Sequence, residues 1–256
     1  MAKIFGLQKS IMYGPVGSRR LGRSLGINLS PTDYKVCSFN CVYCHYGWSK
    51  HLETDLSEYA ADLPTVDAVA EALETALRDL DPPPEYITFS GNGEPTLHPQ
   101  FPEIVDAVIR VKQRTGTDAR LAILSNSTAV TDKRVREALG KLDVRIMKLD
   151  AGNEEVFDRI SRPAPGVTFD AVVEGLKDLD DITLQSAFVG GELTNAGDED
   201  VEAWLKVVRE IKPTSMQIYS LENAPAMPTL VGIPMERLRE IRDRVKQVLD
   251  IEVEAY

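Results

Sequence analysis

All three cysteines of this 256-residue chain lie within eight residues, in the segment CSFNCVYCHYG at 37–47. Cys37, Cys41 and Cys44 give the spacing C-x3-C-x2-C. Three thiols cannot all pair within one chain, so they read as free for metal binding or catalysis in a reducing, cytoplasmic setting. Three kinds of metal chemistry fit. CVYCH at 41–45 has the C-x-x-C-H form of covalent haem attachment, which would leave Cys37 idle. A structural zinc could take the three thiolates with His45 as fourth ligand, although His45 directly follows Cys44 and joint ligation is strained. A 4Fe–4S cluster could take three thiolates and leave its fourth iron open, in which case the lack of a fourth cysteine is expected.

Further polar groups fall where strand-like runs end. SGNGEP at 90–95 offers Gly91 and Gly93 for a tight turn and a close backbone approach, with Asn92 between them. Glu94 brings a carboxylate and Pro95 fixes the exit. LSNS at 124–127 ends the next run with Ser125 and Asn126. In MKLDAG at 147–152, Lys148 and Asp150 are two apart and so share one face of a strand, as an internal ion pair or as ligand contacts. Gln185 stands on the following run. Tyr219, Glu222 and Asn223 in QIYSLENAPAMP at 217–228 are candidates for a far wall. His98, in TLHP, reads as a helix-entry residue.

The elements that must place these groups alternate in period. Strand-like runs cover 24–30, 86–91, 120–126, 144–150, 182–190 and 215–221. Helical stripes cover 65–80, 99–114, 131–140, 168–179, 199–211 and 234–249. Strands alternating with helices predict a parallel sheet, with chemistry in the loops after the strands' C-terminal ends. Six units are too few for a closed eight-unit barrel, which leaves an open partial barrel or a doubly wound sheet. No linker interrupts the pattern, so residues 1–256 read as one domain with its cysteine loop at 37–44.

The C-x3-C-x2-C spacing, with Tyr43 as the aromatic before the last cysteine, resembles the signature of the radical S-adenosylmethionine superfamily. SGNGEP resembles that family's GGEP motif. The resemblance implies an α/β fold, an open three-quarter TIM-type barrel of six βα units with parallel strands. It implies a 4Fe–4S cluster on Cys37, Cys41 and Cys44, whose open iron chelates S-adenosylmethionine. It implies cofactor contacts from Tyr43, the 91–95 loop, Ser125, Asn126, Lys148, Asp150 and Gln185. The reaction implied is reductive cleavage of S-adenosylmethionine and hydrogen abstraction from a substrate, with no catalytic side chain assigned. A reductase, or a flavodoxin- or ferredoxin-type donor, would supply the electron. YGPVGSRRLGRSLGINLSP and KLDAG are similar to the wyosine-synthase-like branch, which implies a tRNA substrate. The rival expectations are an activating enzyme forming a glycyl radical on a partner protein, a small-molecule or peptide-modifying enzyme, and a non-enzymatic module with a structural metal.

The formal net charge of −11 argues against nonspecific nucleic-acid binding. Residues 1–50 differ: Lys3, Lys9, Arg19, Arg20, Arg23, Lys35 and Lys50 face one acid, Asp33, for a balance of +6. Such a segment is either a solvated basic arm or a patch for an anionic partner. MAKIFGLQKS has no long apolar run, so neither a signal peptide nor a membrane span is expected there.

Overall fold

The computed structural model describes residues 4–256; Lys3 of the basic segment lies outside them. The chain opens with a hairpin, β1 (Met12–Ser18) and β2 (Gly22–Ile27). Two short strands, β3 (Val36–Cys37) and β4 (His51–Leu52), bracket the cysteine loop. Strands and helices then alternate: α1 (Val66–Asp79), β5 (Tyr86–Phe89), α2 (Phe101–Thr115), β6 (Arg120–Ser125), α3 (Lys133–Leu139), β7 (Val144–Lys148). After α4 (Glu154–Ile160) and α5 (Phe169–Lys177) come β8 (Thr183–Ala187), β9 (Val189–Gly191), α6 (Asp198–Ile211), β10 (Ser215–Tyr219), β11 (Leu230–Gly232), α7 (Met235–Val248) and β12 (Glu252–Ala255).

The main sheet has the order β1-β2-β5-β6-β7-β8-β10-β12. Every neighbouring pair is parallel except β1 with β2. This is an α/β fold on a parallel sheet, consistent with a partial TIM-type barrel. Three details depart from the expected six units. β12 adds a seventh parallel strand beside β10, β1 adds an antiparallel edge, and the 182–190 run breaks at Phe188. Beyond the break, β9 pairs antiparallel with β11 in a separate two-stranded sheet.

Local chemistry sets the helix ends. The side chains of Thr65, Asn153 and Thr168 accept hydrogen bonds from the first turns of α1, α4 and α5, which satisfies otherwise orphaned donors. The sheet's two faces differ. On the helix side, Ile87 and Phe89 of β5 share a core with Phe101 and Ile104 of α2. The alternate residues line the inner face: Ser24 and Thr88 bond each other at 2.6 Å, Ala122 and Ile146 cluster with Leu21, and Gln185 donates to Gln217 at 3.0 Å. The same alternation puts Lys148 and Tyr219 on the inner face.

β7 ends against α6. The indole Nε1 of Trp204 donates to the Leu149 carbonyl at 3.1 Å. A Cβ on Gly152 would sit 2.0 Å from the Trp204 backbone nitrogen and 2.3 Å from the Ala203 carbonyl carbon. Backbone cannot yield as a side-chain tip can, so Gly152→Ala should destabilise by about 1–3 kcal/mol through overpacking. A fall in the urea midpoint at unchanged slope checks this; a wild-type midpoint would refute it.

Candidate functional site

The cysteine loop is held from several directions. Val42 N donates to the Ile160 carbonyl at the end of α4, and Met227 N donates to the Val42 carbonyl. Asn40 N donates to the carbonyls of Ser161 and Arg162. The loop's own turn closes with Cys44 N donating to Cys41 O at 3.1 Å. Cys37 is buried, Cys41 and Cys44 are half-buried, and none is in a disulfide. Burial pushes the Cys37 thiol up to about 11 against the opposing pull of Lys35, and pushes Cys41 higher still. Thiolate ligation would therefore be coupled to proton release.

Lys35 and Asn126 reach the sulfurs of Cys44 and Cys37. Lys35 is 5% exposed; its ammonium donates to Cys44 Sγ at 3.0 Å and to the Gly47 carbonyl at 2.8 Å. Burial works to lower its pKa, but the three cysteine sulfurs outweigh that and hold it above the ordinary lysine value. Asn126 Nδ2 lies 3.6 Å from Cys37 Sγ and donates to Ser38 Oγ at 2.9 Å. Lys35 entered the sequence reading only as a charge. Its K-x-C position, two before Cys37, is the signal that could have placed it on the loop's side of β3.

Glu94 is a hub. Its carboxylate is 2% exposed and accepts from Thr96 N, Thr96 Oγ1, Ser125 Oγ and Asn126 N at 3.1, 2.6, 2.9 and 2.5 Å. Burial raises its pKa, and these donors oppose the rise. Asn92 is fully buried; it accepts from Gln8 N and donates to the carbonyls of Gln8 and Pro31. Gly91 has φ +134°, and a Cβ on Gly93 would meet the Val36 carbonyl oxygen at 2.1 Å. The 91–95 loop thus lies directly against the strand leading into Cys37. Pro95 opens a short 3-10 turn and is buried.

Asp150 makes the opposite anchor. It accepts from Lys148 Nζ at 2.8 Å, from Ala187 N at 2.7 Å and from the Tyr43 hydroxyl. Lys148 also donates to the Tyr219 hydroxyl at 3.1 Å and stands 5.1 Å from the Tyr43 ring centre. The expected shared face of Lys148 and Asp150 is therefore an internal ion pair that ties the cysteine loop to β7 and β8. His98 has both ring nitrogens engaged, with Pro64 O and Gln100 N, in keeping with a helix-entry role. A cavity of about 550 Å³ beside it, lined by Thr54, Thr128, Asp132 and Arg134 among others, includes none of the cysteines.

Among the described residues, no three His, Cys, Asp or Glu side chains converge as ligands of a single ion. A cubane cluster distributes its thiolates over separate irons, which suits three sulfurs carried on one open loop.

The radical SAM superfamily pattern matches residues 32–211, and the chain belongs to that superfamily. The family implies a 4Fe–4S cluster and S-adenosylmethionine. Among curated relatives, UPF0026 protein slr1464 of Synechocystis sp. is 35% identical over 238 residues, covering 90% of this chain and 80% of that protein. GTPase Obg of Brachyspira hyodysenteriae is 29% identical across 97% of this chain, which spans only 35% of its length. The fold is shared with Streptococcus suis SuiB bound to S-adenosylmethionine, at TM-score 0.62 and 14% identity over 90% of this chain and 50% of that one. It is shared equally with TYW1 carrying a lysine–pyruvate adduct, at TM-score 0.62 and 14% identity over 89% and 74%. No helix among the described residues is long and apolar enough to cross a membrane.

Glu94→Ala would leave the Thr96 and Asn126 amides facing a void. Each buried donor left unpaired costs about 1–3 kcal/mol. Urea unfolding of the cluster-free chain should show a loss of that order, and an unchanged midpoint would remove Glu94 from its bracing role.

Proposed function

We propose that Cys37, Cys41 and Cys44 hold a 4Fe–4S cluster with one open iron, and that residues 1–256 act as one radical SAM unit. The observation that carries this reading is a single loop of three free thiols, braced by Lys35, Asn126 and the Tyr43–Asp150 bond at the C-terminal ends of parallel strands. When bound, the cluster supplies the electron that cleaves S-adenosylmethionine, giving the 5′-deoxyadenosyl radical that takes hydrogen from a substrate; a reductase or a flavodoxin- or ferredoxin-type protein is its source.

The protein's own groups divide the remaining work. The backbone of Gly91, Gly93 and Pro95 offers a close surface to the methionine amino group. Asn92, Glu94, Ser125 and Asn126 hold that surface in place through the bonds already described. Lys148 and Gln185 line the inner face, where a carboxylate or ribose would lie, and Asp150 fixes the Lys148 ammonium. Lys35 keeps one positive charge at Cys44, offsetting the negative charge of three thiolates.

The arginines of the basic segment divide between the two faces of the sheet, which bears on the substrate. Arg19 is exposed and ion-paired with Glu222, and Arg20 rests on Tyr219 and Tyr256. Arg23 shares the strand parity of Leu25 and Ile27, on the helix side. Arg19 also lies over Tyr256, so two of the three arginines meet there and the third is on the other face of the sheet. This favours a small-molecule or peptide substrate, or a partner protein's glycine, over a tRNA.

Anaerobic reconstitution should give about four irons per chain, and added S-adenosylmethionine should change the reduced cluster's EPR spectrum. Alanine at Cys37, Cys41 or Cys44 should each abolish cluster retention, whereas His45→Ala should keep it. Stoichiometric zinc with no iron uptake would defeat the proposal. A separate check is Lys35→Met, which should make the cluster's midpoint potential more negative, with Lys35→Arg near wild type; equal potentials in all three would dismiss the charge effect.

A further inference from the structure

We propose that Arg20 is the anchor of a second binding site, at the mouth of the sheet's inner face, for a carboxylate or phosphate group of the substrate. The inference deepens the radical SAM reading, on which it rests for the identity of the reaction, though not for the existence of the anion site.

Arg20 stands out by charge balance. At this end of the sheet Arg19 has Glu222, Lys148 has Asp150, and Glu254 accepts from the Tyr256 hydroxyl at 2.6 Å. Among the described residues Arg20 has no carboxylate. Its Nε is buried and has no hydrogen-bond partner, which is also true of Arg23 Nε on the helix side; Arg20 differs in standing over Tyr219 on the inner face. An arginine donor buried away from water ordinarily has an acceptor, and its absence is the feature to explain.

The guanidinium is not loose. Its Cζ lies 4.5 Å from the Tyr219 ring centre and 5.2 Å from that of Tyr256, so two aromatic rings hold it. Tyr219 also faces Lys148, whose Nζ is 4.6 Å from the same centre. The two cations are therefore no more than about 9 Å apart through one shared ring. An anion entering there would meet a planar fork of donors beside a second positive group. Lys148 touches Tyr43 of the cysteine loop, so a substrate held by Arg20 would lie beside the loop that carries the chemistry.

The hairpin explains why an arginine from the start of the chain arrives here. The β1–β2 turn, closed by Arg20 N and Leu21 N donating to Ser18 Oγ, carries Arg20 to Tyr219 at the end of β10 and Tyr256 just after β12.

The test is calorimetric titration of the chain with inorganic phosphate and with acetate, at constant ionic strength. It is run on the cluster-loaded enzyme with S-adenosylmethionine present and repeated on the cluster-free chain. Wild type should bind one anion saturably. Arg20→Gln should weaken that binding at least tenfold, Arg20→Lys should weaken it less, and Arg19→Gln should leave it unchanged. A preference for phosphate over acetate would mark a phosphorylated substrate, and the reverse an acid or peptide terminus. Iron content and the S-adenosylmethionine-dependent EPR change should be the same in Arg20→Gln and wild type. Equal anion binding by wild type, Arg20→Gln and Arg20→Lys would overturn the proposal. So would a loss of S-adenosylmethionine affinity in Arg20→Gln as large as its loss of phosphate, which would place Arg20 in the cofactor's own site. If wild type takes up no iron, the radical SAM reading fails, while the cluster-free titration still decides Arg20.

Discussion

A buried carboxylate organises each side of the site. Asp150 is 5% exposed and receives a lysine, a backbone amide and a tyrosine hydroxyl from three separate elements. A carboxylate in such surroundings is costly unless it is both paired and fully hydrogen-bonded. Because it is, the end of β7, the end of β8 and the cysteine loop are fixed relative to one another. Removing Lys148 would leave a charge uncompensated in the interior, and removing the Tyr43 hydroxyl would leave one carboxylate oxygen short of a donor.

Glu94 does the same on the other flank without a cation. Its partners are amides and hydroxyls from two successive strand-end loops, and one of them, Asn126, continues to Cys37 and Ser38. A chain of bonds thus runs from the 91–95 loop to the first cysteine. The 91–95 loop can lie that close because Gly93 presents no side chain to the Val36 carbonyl. The open backbone surface in this region is therefore preorganised by groups that need not touch a ligand themselves.

The electrostatics are the reverse of what the whole chain suggests. The protein is acidic overall, yet the groups turned toward the cysteine loop and the inner face include Lys35, Lys148 and Arg20. Lys35 is consumed by a sulfur and a carbonyl, and Lys148 by Asp150 and Tyr219. Of these three, Arg20 is the one whose buried donor, Nε, has no partner. Net charge describes the surface and the solution behaviour of the chain, whereas a site's selectivity follows from which few charges the fold turns inward.

The cysteine spacing, the strand–helix alternation and the shared face of Lys148 and Asp150 were legible in the sequence, because each depends on periodicity or short-range spacing. The six long strands and the six helical stripes were found for the same reason. β1 was not: it holds Pro15 and two glycines, and its pairing is with a neighbour across a turn. β12 was missed because EVEA is four residues long and reads as a polar tail; only its place beside β10 makes it a strand. α4 is two turns long, too short for a periodic signal. The roles of Glu94, Asn92 and Asn126 were visible as residue types and not as bonds, since their partners lie up to 89 positions away in the chain. Arginines 19, 20 and 23 form one cluster in sequence, but in space Arg19 and Arg20 meet over Tyr256 while Arg23 turns to the helix side. The tertiary structure decided that, because strand parity and the reach of one hairpin determine which side chains gather over Tyr256 and which one turns to the helix side.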